Sequence, residues 1–304
     1  MKVKDIAFII IHFKNVKDTL ETLKSLYQAT LPKGVKITPY VVNNDQSEEI
    51  KTKLLKLFPK AVHVFSNTNL GFSGGNNLGL QTALKGQHNT FVLINNDVSV
   101  KKDFIKQIVT SPITKDNVGI VGGLIYFAPG FEFKKYQQSD QGKVIWYAGG
   151  QIDWPNVLAS HLGVDQVDKG QYSKPVKTDF VTGCLLITKR TVLEKVGLLD
   201  NHYCLYLEDV DFNIRVQQAG YQTIFDPRIK MWHKVAQSSA IGSPLNDYFI
   251  TRNRLLFGFK HTPFRTRFAL TREAVRKLIS GTKAQKTAIK DFFTGNLGKG
   301  SWLK

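Results

Sequence analysis

Within the first 110 residues an apolar, β-branched run and a helix-periodic segment alternate four times, and this rhythm restricts the chain to few architectures. DIAFIIIHF (5–13) is a continuous apolar run, and residues 15–30 follow with Val16, Leu20, Leu23 and Leu26–Tyr27 at helical spacing. ITPYVVNND (37–45) precedes SEEIKTKLLKLF (47–58), where Ser47 is placed to cap a helix. AVHVFSN (61–67) precedes a glycine-rich turn and a helix over 73–85, and FVLINNDVSV (91–100) precedes KKDFIKQIV (101–109). Continuous apolar strands separated by helices predict an α/β fold with a mostly parallel, doubly wound sheet covered on both faces. Ligands of such sheets sit outside the carboxyl ends of the strands, so the residues that end these strands are the first functional candidates.

Those residues are polar and alike: His12-Phe13-Lys14-Asn15, Asn43-Asn44-Asp45, Asn67-Thr68-Asn69 and Asn95-Asn96-Asp97. Asn and Asp make turns and caps on their own account. Four such clusters in register at one sheet edge exceed what turns alone require. Between the third and the next helix runs Asn69-Leu-Gly-Phe-Ser-Gly-Gly-Asn-Asn-Leu-Gly79. Glycines at a strand-to-helix turn allow close backbone approach to a ligand, and helix N-terminal amides suit phosphate. The segment is neither a dinucleotide fingerprint nor a P-loop.

From about residue 110 the rhythm changes. NVGIVGGLIYF (117–127), KVIWYAGGQID (143–153) and DFVTGCLLITKR (179–190) are strand-like runs joined by loops, which predicts a mixed or antiparallel second half. Residues 131–143 and 165–177 read as polar loops. LEDVDFNIRVQQAG (207–220) begins a helix closed by Gly220, and Tyr221 to His233 returns as a strand.

Asp97 at a strand terminus, near a phosphate-suited turn, suits a hard divalent cation that also binds a diphosphate; its structural alternative is a helix cap. One carboxylate leaves most of the coordination to water and phosphate, which fits Mg2+ or Mn2+ better than a closed zinc site. Glu208, Asp209 and Asp211 at a helix start either complement the helix dipole or raise one another's pKa, which would make Asp209 a general base. His233 closes the last strand.

Taken in order, NLGFSGGNNLG, LINNDV, VTGCLLITKRTVLEKVGLLD, YLEDVDFNIRVQQAGY, the WH pair and DYFITRNRLLF resemble glycosyltransferase family 2, in particular its bacterial rhamnosyltransferase-type members, over about residues 5–260. The resemblance implies a GT-A fold, a nucleoside-diphosphate sugar donor such as dTDP-rhamnose or a UDP-hexose, Mg2+ or Mn2+, and inversion at the anomeric carbon. It implies that Asp97 binds the metal with His233, and that Asn95 stands where many members carry the first aspartate of a DxD motif. Asn43, with Asn44 beside it, occupies the place of a base-reading aspartate, while His12 and Phe13 fall where the family lines the base pocket. Asn69, Gly71, Gly74 and Asn77, with Asn96 beside the metal aspartate, match donor-contacting segments. Asp209 matches the catalytic base, with Glu208 at its side. The implied acceptor is a glycan or lipid-linked glycan precursor of a cell-surface polysaccharide.

The formal charge is +18, from 42 Lys+Arg against 24 Asp+Glu, and residues 251–304 hold +11 of it. Basicity therefore belongs to a tail, which argues against a nucleic-acid-binding body. A sugar-nucleotide nucleotidyltransferase would want a Gly-rich motif with basic residues near the first strand, which is absent there. The chain divides into a catalytic domain (1–235, a nucleotide-binding half 1–110 and an acceptor half 111–235) and a helical basic extension (236–304). After Pro263, the apolar residues Phe264, Phe268, Val275 and Ile279 recur with arginines interleaved. That stripe either meets an anionic membrane surface or packs on the catalytic domain. Two cysteines form no disulfide framework, and no run reaches the length of a membrane span or ends in a signal cleavage site, so the expected place is the cytoplasm or the inner face of a bacterial plasma membrane.

Overall fold

The computed structural model describes residues 2–235 and 242–302. Its first half follows the expected rhythm: β1 (Asp5–His12), α1 (Val16–Gln28), β2 (Lys36–Asn43), α2 (Glu48–Leu57), β3 (Val62–Phe65), α3 (Gly71–Leu84) and β4 (Thr90–Ile94). β1 pairs parallel with β2 and β4, and β2 with β3. Alternate residues of β1 serve opposite faces, as strand geometry requires. Ile6, Phe8 and Ile10 join Leu23 and Leu26 of α1 and Ile50 and Leu54 of α2 on one side; Ala7 and Ile9 join Leu80 and Ala83 of α3 on the other. Ser47 caps α2 by accepting from the Ile50 amide at 3.3 Å. The third helix starts at Gly71 rather than 73.

The second half is mixed. It comprises β5 (Val98–Val100), α4 (Phe104–Val109), β6 (Val118–Phe127), β7 (Ile145–Tyr147), β8 (Gly150–Asp153), β9 (Leu158–His161), β10 (Val176–Lys177), β11 (Leu185–Lys189), α5 (Arg190–Val196), α6 (Glu208–Gln218) and β12 (Gln222–His233). β11 enters antiparallel between β4 and β6, and β12 runs parallel to β6. Among the described residues the main sheet has the order β10-β12-β6-β11-β4-β1-β2-β3, with β5 on β12 and β7 on β6, and β8 and β9 form a separate hairpin.

Three apolar runs behave differently from the expectation. The run 91–100 is two strands: β4 stops at Ile94, and β5 leaves to pair antiparallel with β12, placing Val98 opposite His233. The run 143–153 divides between β7 and β8. Only Leu185–Lys189 of 179–190 is strand, and α5, which the sequence pattern did not announce, follows directly.

The C-terminal region is α7 (Pro244–His261), α8 (Phe264–Ser280) and α9 (Lys283–Phe293). The boundary expected after residue 235 meets residues 236–241, which lie outside the described residues. The helices beyond it share the body's core: Leu255 and Phe257 of α7, Leu270 and Ala274 of α8 and Ile289 of α9 are contiguous with the buried strand residues. On α8, Leu270 and Ala274 are the anchoring face, whereas Phe264, Phe268, Val275 and Ile279 are 80, 61, 51 and 77% exposed. The packed alternative for that stripe therefore does not hold. No helix among the described residues is long and apolar enough to cross a membrane.

Fully burying a large apolar side chain contributes about 1.5–3 kcal/mol, against a net domain stability of about 5–15 kcal/mol. Losing α7 to α9 removes several such side chains at once. A chain truncated after Val235 is expected to lose the cooperative urea transition of the full chain, as followed by tryptophan fluorescence; an intact transition at an unchanged midpoint would show an independent unit.

Candidate active site

The departure of β5 from β4 builds the first part of the site. Asn95, Asn96 and Asp97 fill the gap between the two strands, and the pairing of β5 with β12 carries Asp97 to the end of β12. There Asp97 Oδ1 lies 3.1 Å from His233 Nε2. Asn95 Nδ2 is 3.3 Å from the same nitrogen. Asn96 holds the turn against α1, donating to Thr19 Oγ1 at 2.9 Å while its carbonyl accepts from Thr22 Oγ1 at 2.8 Å. Asp97 Oδ1 and His233 Nδ1 are buried without a hydrogen-bond partner. Burial disfavours charge on His233, but neighbouring Cys184 and Asp97 outweigh it and hold the imidazole well above its ordinary pKa.

Ligands held about 2.1 Å from one ion and at right angles to each other stand about 3.0 Å apart, so the Asp97–His233 spacing fits two adjacent positions of an octahedral cation. Among the described residues no cluster of three or more His, Cys, Asp or Glu offers a fuller protein cage. The carboxylate, completed by phosphate and water, suits Mg2+ or Mn2+, and the imidazole nitrogen, once deprotonated, favours Mn2+ of the two.

The second part is the start of α6. Glu208 and Asp209 open the helix after a loop in which Cys204, Tyr206 and Leu207 have φ of 62, 70 and 68°. Left-handed backbone costs a non-glycine residue roughly 1–2 kcal/mol, so the loop needs external support. α7 supplies it. Asn253 Nδ2 donates to the carbonyls of Tyr203, Leu205 and Tyr206 at 2.9, 2.7 and 2.9 Å. Fully buried Arg252 donates to the carbonyls of Tyr203 and His202 at 2.9 and 3.2 Å.

The three carboxylates of this segment have separate fates. Asp211 turns away from the site to Arg215, Lys260 and His261, each at 2.7 Å, and although burial opposes ionisation these partners hold its carboxyl below the ordinary range. Asp209 accepts from the amides of Gly183 and Val210 at 2.7 and 2.8 Å. Its pKa is raised by burial and lowered by those hydrogen bonds, with a net rise. Mutual repulsion within the cluster, the expected cause, is not what raises it. Glu208 is pushed well above the ordinary range, by burial first and by the charge of Asp209 second, and its Oε2 has no partner.

Both parts face one cavity of about 570 Å3, lined by Asn95, Asp97, Glu208, Asp209 and His233. Trp146 and His161 form an aromatic wall, with Trp146 edge-on to His161 at 4.6 Å and to His233 at 4.7 Å between ring centroids. Burial pushes the His161 imidazole down to about 4, so it is neutral at physiological pH. Trp146, His161 and Gly183 escaped the sequence analysis. Gly183 sits in the quoted VTGC segment, where a Cβ would lie 2.9 Å from the Phe72 ring and 3.4 Å from Asp209 Cβ.

The other expected donor residues stand apart from this cavity, at the ends of β1 and β2 and in the glycine-rich turn. His12 is fully buried, 2.7 Å from Thr19 Oγ1 and 3.5 Å from Asp45 Oδ1, and burial lowers its pKa despite the nearby carboxylate. Phe13 lies beneath the Lys14 ammonium, 5.1 Å from ring centre to nitrogen. Asn43 is engaged locally with Ser47, donating to its carbonyl and accepting from its amide. Asn44 accepts from the Leu70 amide and donates to Asn69 Oδ1 and the Gly71 carbonyl. Asn77 ties α3 to Leu199 and Asn201.

In the glycine-rich turn, expected to contact the donor, the backbone donors meet protein acceptors. The amides of Phe72 and Ser73 both donate to the Cys204 carbonyl, at 2.7 and 3.1 Å, so the first turn of α3 is already satisfied by protein. Gly71 has φ of 70°, and a Cβ there would lie 2.3 Å from Cys204 Sγ. Gly74 would bring a Cβ to 2.9 Å from Leu70 Cβ, and Gly79 to 2.5 Å from Ile9. These glycines let α3 approach the sheet and the 203–207 loop.

A family model described as Glycosyltransferase like family 2 matches residues 4–258. The chain is 24% identical over 252 residues to the dTDP-rhamnosyl transferase RfbF of Shigella flexneri, covering 80% of this chain and 77% of that one. It is 25% identical over 215 residues to the low-salt glycan biosynthesis hexosyltransferase Agl10 of Haloferax volcanii, covering 70% of this chain but only 62% of that protein. A 60-residue segment, 20% of each chain, is 32% identical to an N-acetylglucosaminyl-diphospho-decaprenol L-rhamnosyltransferase of Mycobacterium tuberculosis. Among solved structures, GalNAc-T7 with UDP, GalNAc and Mn2+ shares the fold at a TM-score of 0.65 and 16% identity, covering 96% of this chain and 56% of that one. The mannosyltransferase PcManGT of Pyrobaculum calidifontis with GDP-Man and Mn2+ does so at 0.55 and 14%, covering 97% and 76%. The fold is the GT-A arrangement of these enzymes.

The supports of the 203–207 loop are open to direct measurement. Asn253→Ala takes the donor from the Leu205 and Tyr206 carbonyls, while that of Tyr203 keeps Arg252, and is expected to cost about 1–3 kcal/mol in urea unfolding. Gly71→Ala adds left-handed strain to a steric clash and is expected to cost about 2–4 kcal/mol. Losses below 0.5 kcal/mol in both would show that the loop does not depend on these contacts.

Proposed function

The chain belongs to glycosyltransferase family 2, and on that premise we propose that it is an inverting, metal-dependent sugar transferase. Its donor is a nucleoside-diphosphate sugar, dTDP-rhamnose or a UDP-hexose. Its acceptor is a hydroxyl of a glycan, in a lipid-linked precursor of a cell-surface polysaccharide at the cytoplasmic face of a bacterial plasma membrane. The observation that carries the reading is the single cavity in which the Asp97–His233 pair faces Glu208 and Asp209. Support for the donor comes from the relatives, one named for dTDP-rhamnose, and from the two solved neighbours, which hold UDP or GDP-Man with Mn2+.

Asp97 and His233 are the residues to hold the metal, with Asn95 beside them as a neutral amide. When bound, Mg2+ or Mn2+ neutralises the charge that grows on the departing nucleoside diphosphate. Asp209 is the base. Ionised, it is steadied by the Gly183 and Val210 amides, and it takes the acceptor proton as the acceptor oxygen attacks the anomeric carbon. The bond from that carbon to the diphosphate oxygen breaks in the same displacement, and its electron pair leaves on the diphosphate. The anomeric centre passes through an oxocarbenium-like state and inverts. Glu208, whose pKa is held high, keeps the pair's proton and leaves Asp209 ionised.

The base requires the deprotonated form, and burial raises the Asp209 pKa. The acid limb of kcat/KM is therefore expected above the ordinary carboxylate range, with activity falling as pH drops through it. Asp209→Asn is expected to lower kcat by about 10²–10⁴-fold with thermal stability retained, whereas Glu208→Gln, which resembles the neutral acid, keeps most of it. Equal loss in both variants would remove Asp209 from the base role.

Donor and metal are tested together by thermal stabilisation across UDP-, dTDP- and GDP-sugars, with and without Mn2+, in the wild type and Asp97→Ala. A ligand that binds the native state alone must raise apparent stability. The expected result is a Mn2+-dependent rise for one donor class that Asp97→Ala abolishes. No rise with any sugar nucleotide would overturn the reading.

A further inference from the structure

The apolar stripe of α8 has a companion row of charge. At 3.6 residues per turn, Phe264, Phe268, Val275 and Ile279 align along one exposed face, and Arg265, Arg272 and Arg276 run together along one flank of it. The arginines are exposed. The carboxylate that α8 itself carries, Glu273, is already held by Arg254 at 2.7 Å and Lys277 at 2.9 Å. Lys283 and Lys290 of α9 add exposed positive charge nearby in sequence. The helix is fixed to the body through the different face of Leu270 and Ala274, so the stripe is free to meet something else.

We propose that this face of α8 docks on an anionic lipid bilayer, the stripe entering the acyl boundary and the arginines meeting the headgroups. Charge complementarity selects this occupant. An antiparallel two-fold contact between copies of the chain through the same face would set one arginine row against another. A duplex would satisfy the arginines and leave the whole stripe in water, and a single strand, whose bases can stack on Phe264 and Phe268, would still leave Val275 and Ile279 there. Each basic residue near an anionic surface contributes about 1 kcal/mol, and the stripe adds the apolar burial that separates insertion from simple attraction.

α8 and the catalytic cavity share a neighbour in α7. Ile250 of α7 lines both the catalytic cavity and a second space of about 140 Å3, which Leu158 of β9 and Leu270, Ala274 and Lys277 of α8 also wall. Leu158 and Ile250 are 49 and 37% exposed. That space meets α8 on its anchoring face, so the exposed stripe is on the far side of the helix, and a bilayer there lies one helix width, about 10 Å, from that space. The inference rests on the proposed function for the kind of acceptor found there; the docking itself is tested without it.

The experiment is flotation of the full chain with vesicles of phosphatidylcholine, with and without phosphatidylglycerol, at low and high salt. Flotation is expected with the anionic vesicles only and is expected to fall with salt. Arg272→Gln/Arg276→Gln should weaken binding about 30-fold. Phe268→Ser/Ile279→Ser should abolish it, with thermal stability and transfer to a short water-soluble acceptor unchanged. No flotation at low salt would overturn the inference, as would undiminished flotation of the Phe268→Ser/Ile279→Ser variant or its conversion of a dimer into a monomer in light scattering. Flotation lost in that variant upholds the docking even where no sugar transfer is detected, so the two readings fail separately.

Discussion

The segment 202–206 turns a succession of backbone carbonyls inward, and buried carbonyls must find donors. Two helices provide them. From α3, the amides of Phe72 and Ser73 reach Cys204; from α7, Asn253 and Arg252 reach His202, Tyr203, Leu205 and Tyr206. These bonds make a left-handed stretch affordable immediately before Glu208 and Asp209, which fixes where α6 begins and which way its first carboxylates point. They also join the first βα units, α6 and the C-terminal helices into one interdependent structure. The C-terminal region is for this reason part of the site's construction, though it contributes none of the carboxylates.

Three acidic residues within four positions show how little a local charge pattern says before packing is known. Asp211 is one turn from Glu208, yet α7 surrounds it with Lys260 and His261 while Arg215 comes from its own helix. It is a structural anion. Glu208 is buried beside an ionised neighbour with one oxygen unpaired, a setting that favours its neutral form. Asp209 is less completely buried and has two amides aimed at it, a setting that supports charge. Burial raises both groups, and the two amides favour ionisation of Asp209 over that of Glu208.

The β-α order of residues 5–94 was legible because parallel strands buried on both faces read as unbroken apolar runs. Asp97 was legible as a strand-end carboxylate, but its pairing with His233 could be reached only through the resemblance. Val98–Val100 looks like the continuation of β4, and its choice of β12 instead is a tertiary preference without a local signal. The glycines near Asn69 were visible, while their purpose was not: close packing against Cys204 and Ile9 has the same sequence signature as a phosphate turn. Asn43 is similar, since an asparagine that closes a turn onto Ser47 and one that reads a base are the same letter. Asn253 sat unnoticed inside a basic helix, where a polar residue reads as solvated surface until the carbonyls opposite it are known.

The excess of positive charge likewise divides by what each residue meets. Arg190 donates to the carbonyls of Leu84, Gly86 and His88, and Arg252 lies wholly within the protein. Arg254 and Arg267 bridge neighbouring elements through Glu273 and the Thr262 carbonyl. In each case a guanidinium satisfies groups that folding would otherwise leave short of donors, so its charge is consumed by the structure. Arg265, Arg272 and Arg276 share the same tail and composition but stand exposed beside exposed phenylalanines. Basic residues with no carboxylate partner among the described residues, arranged along apolar side chains that stay mostly exposed, are what the proposed bilayer contact would occupy.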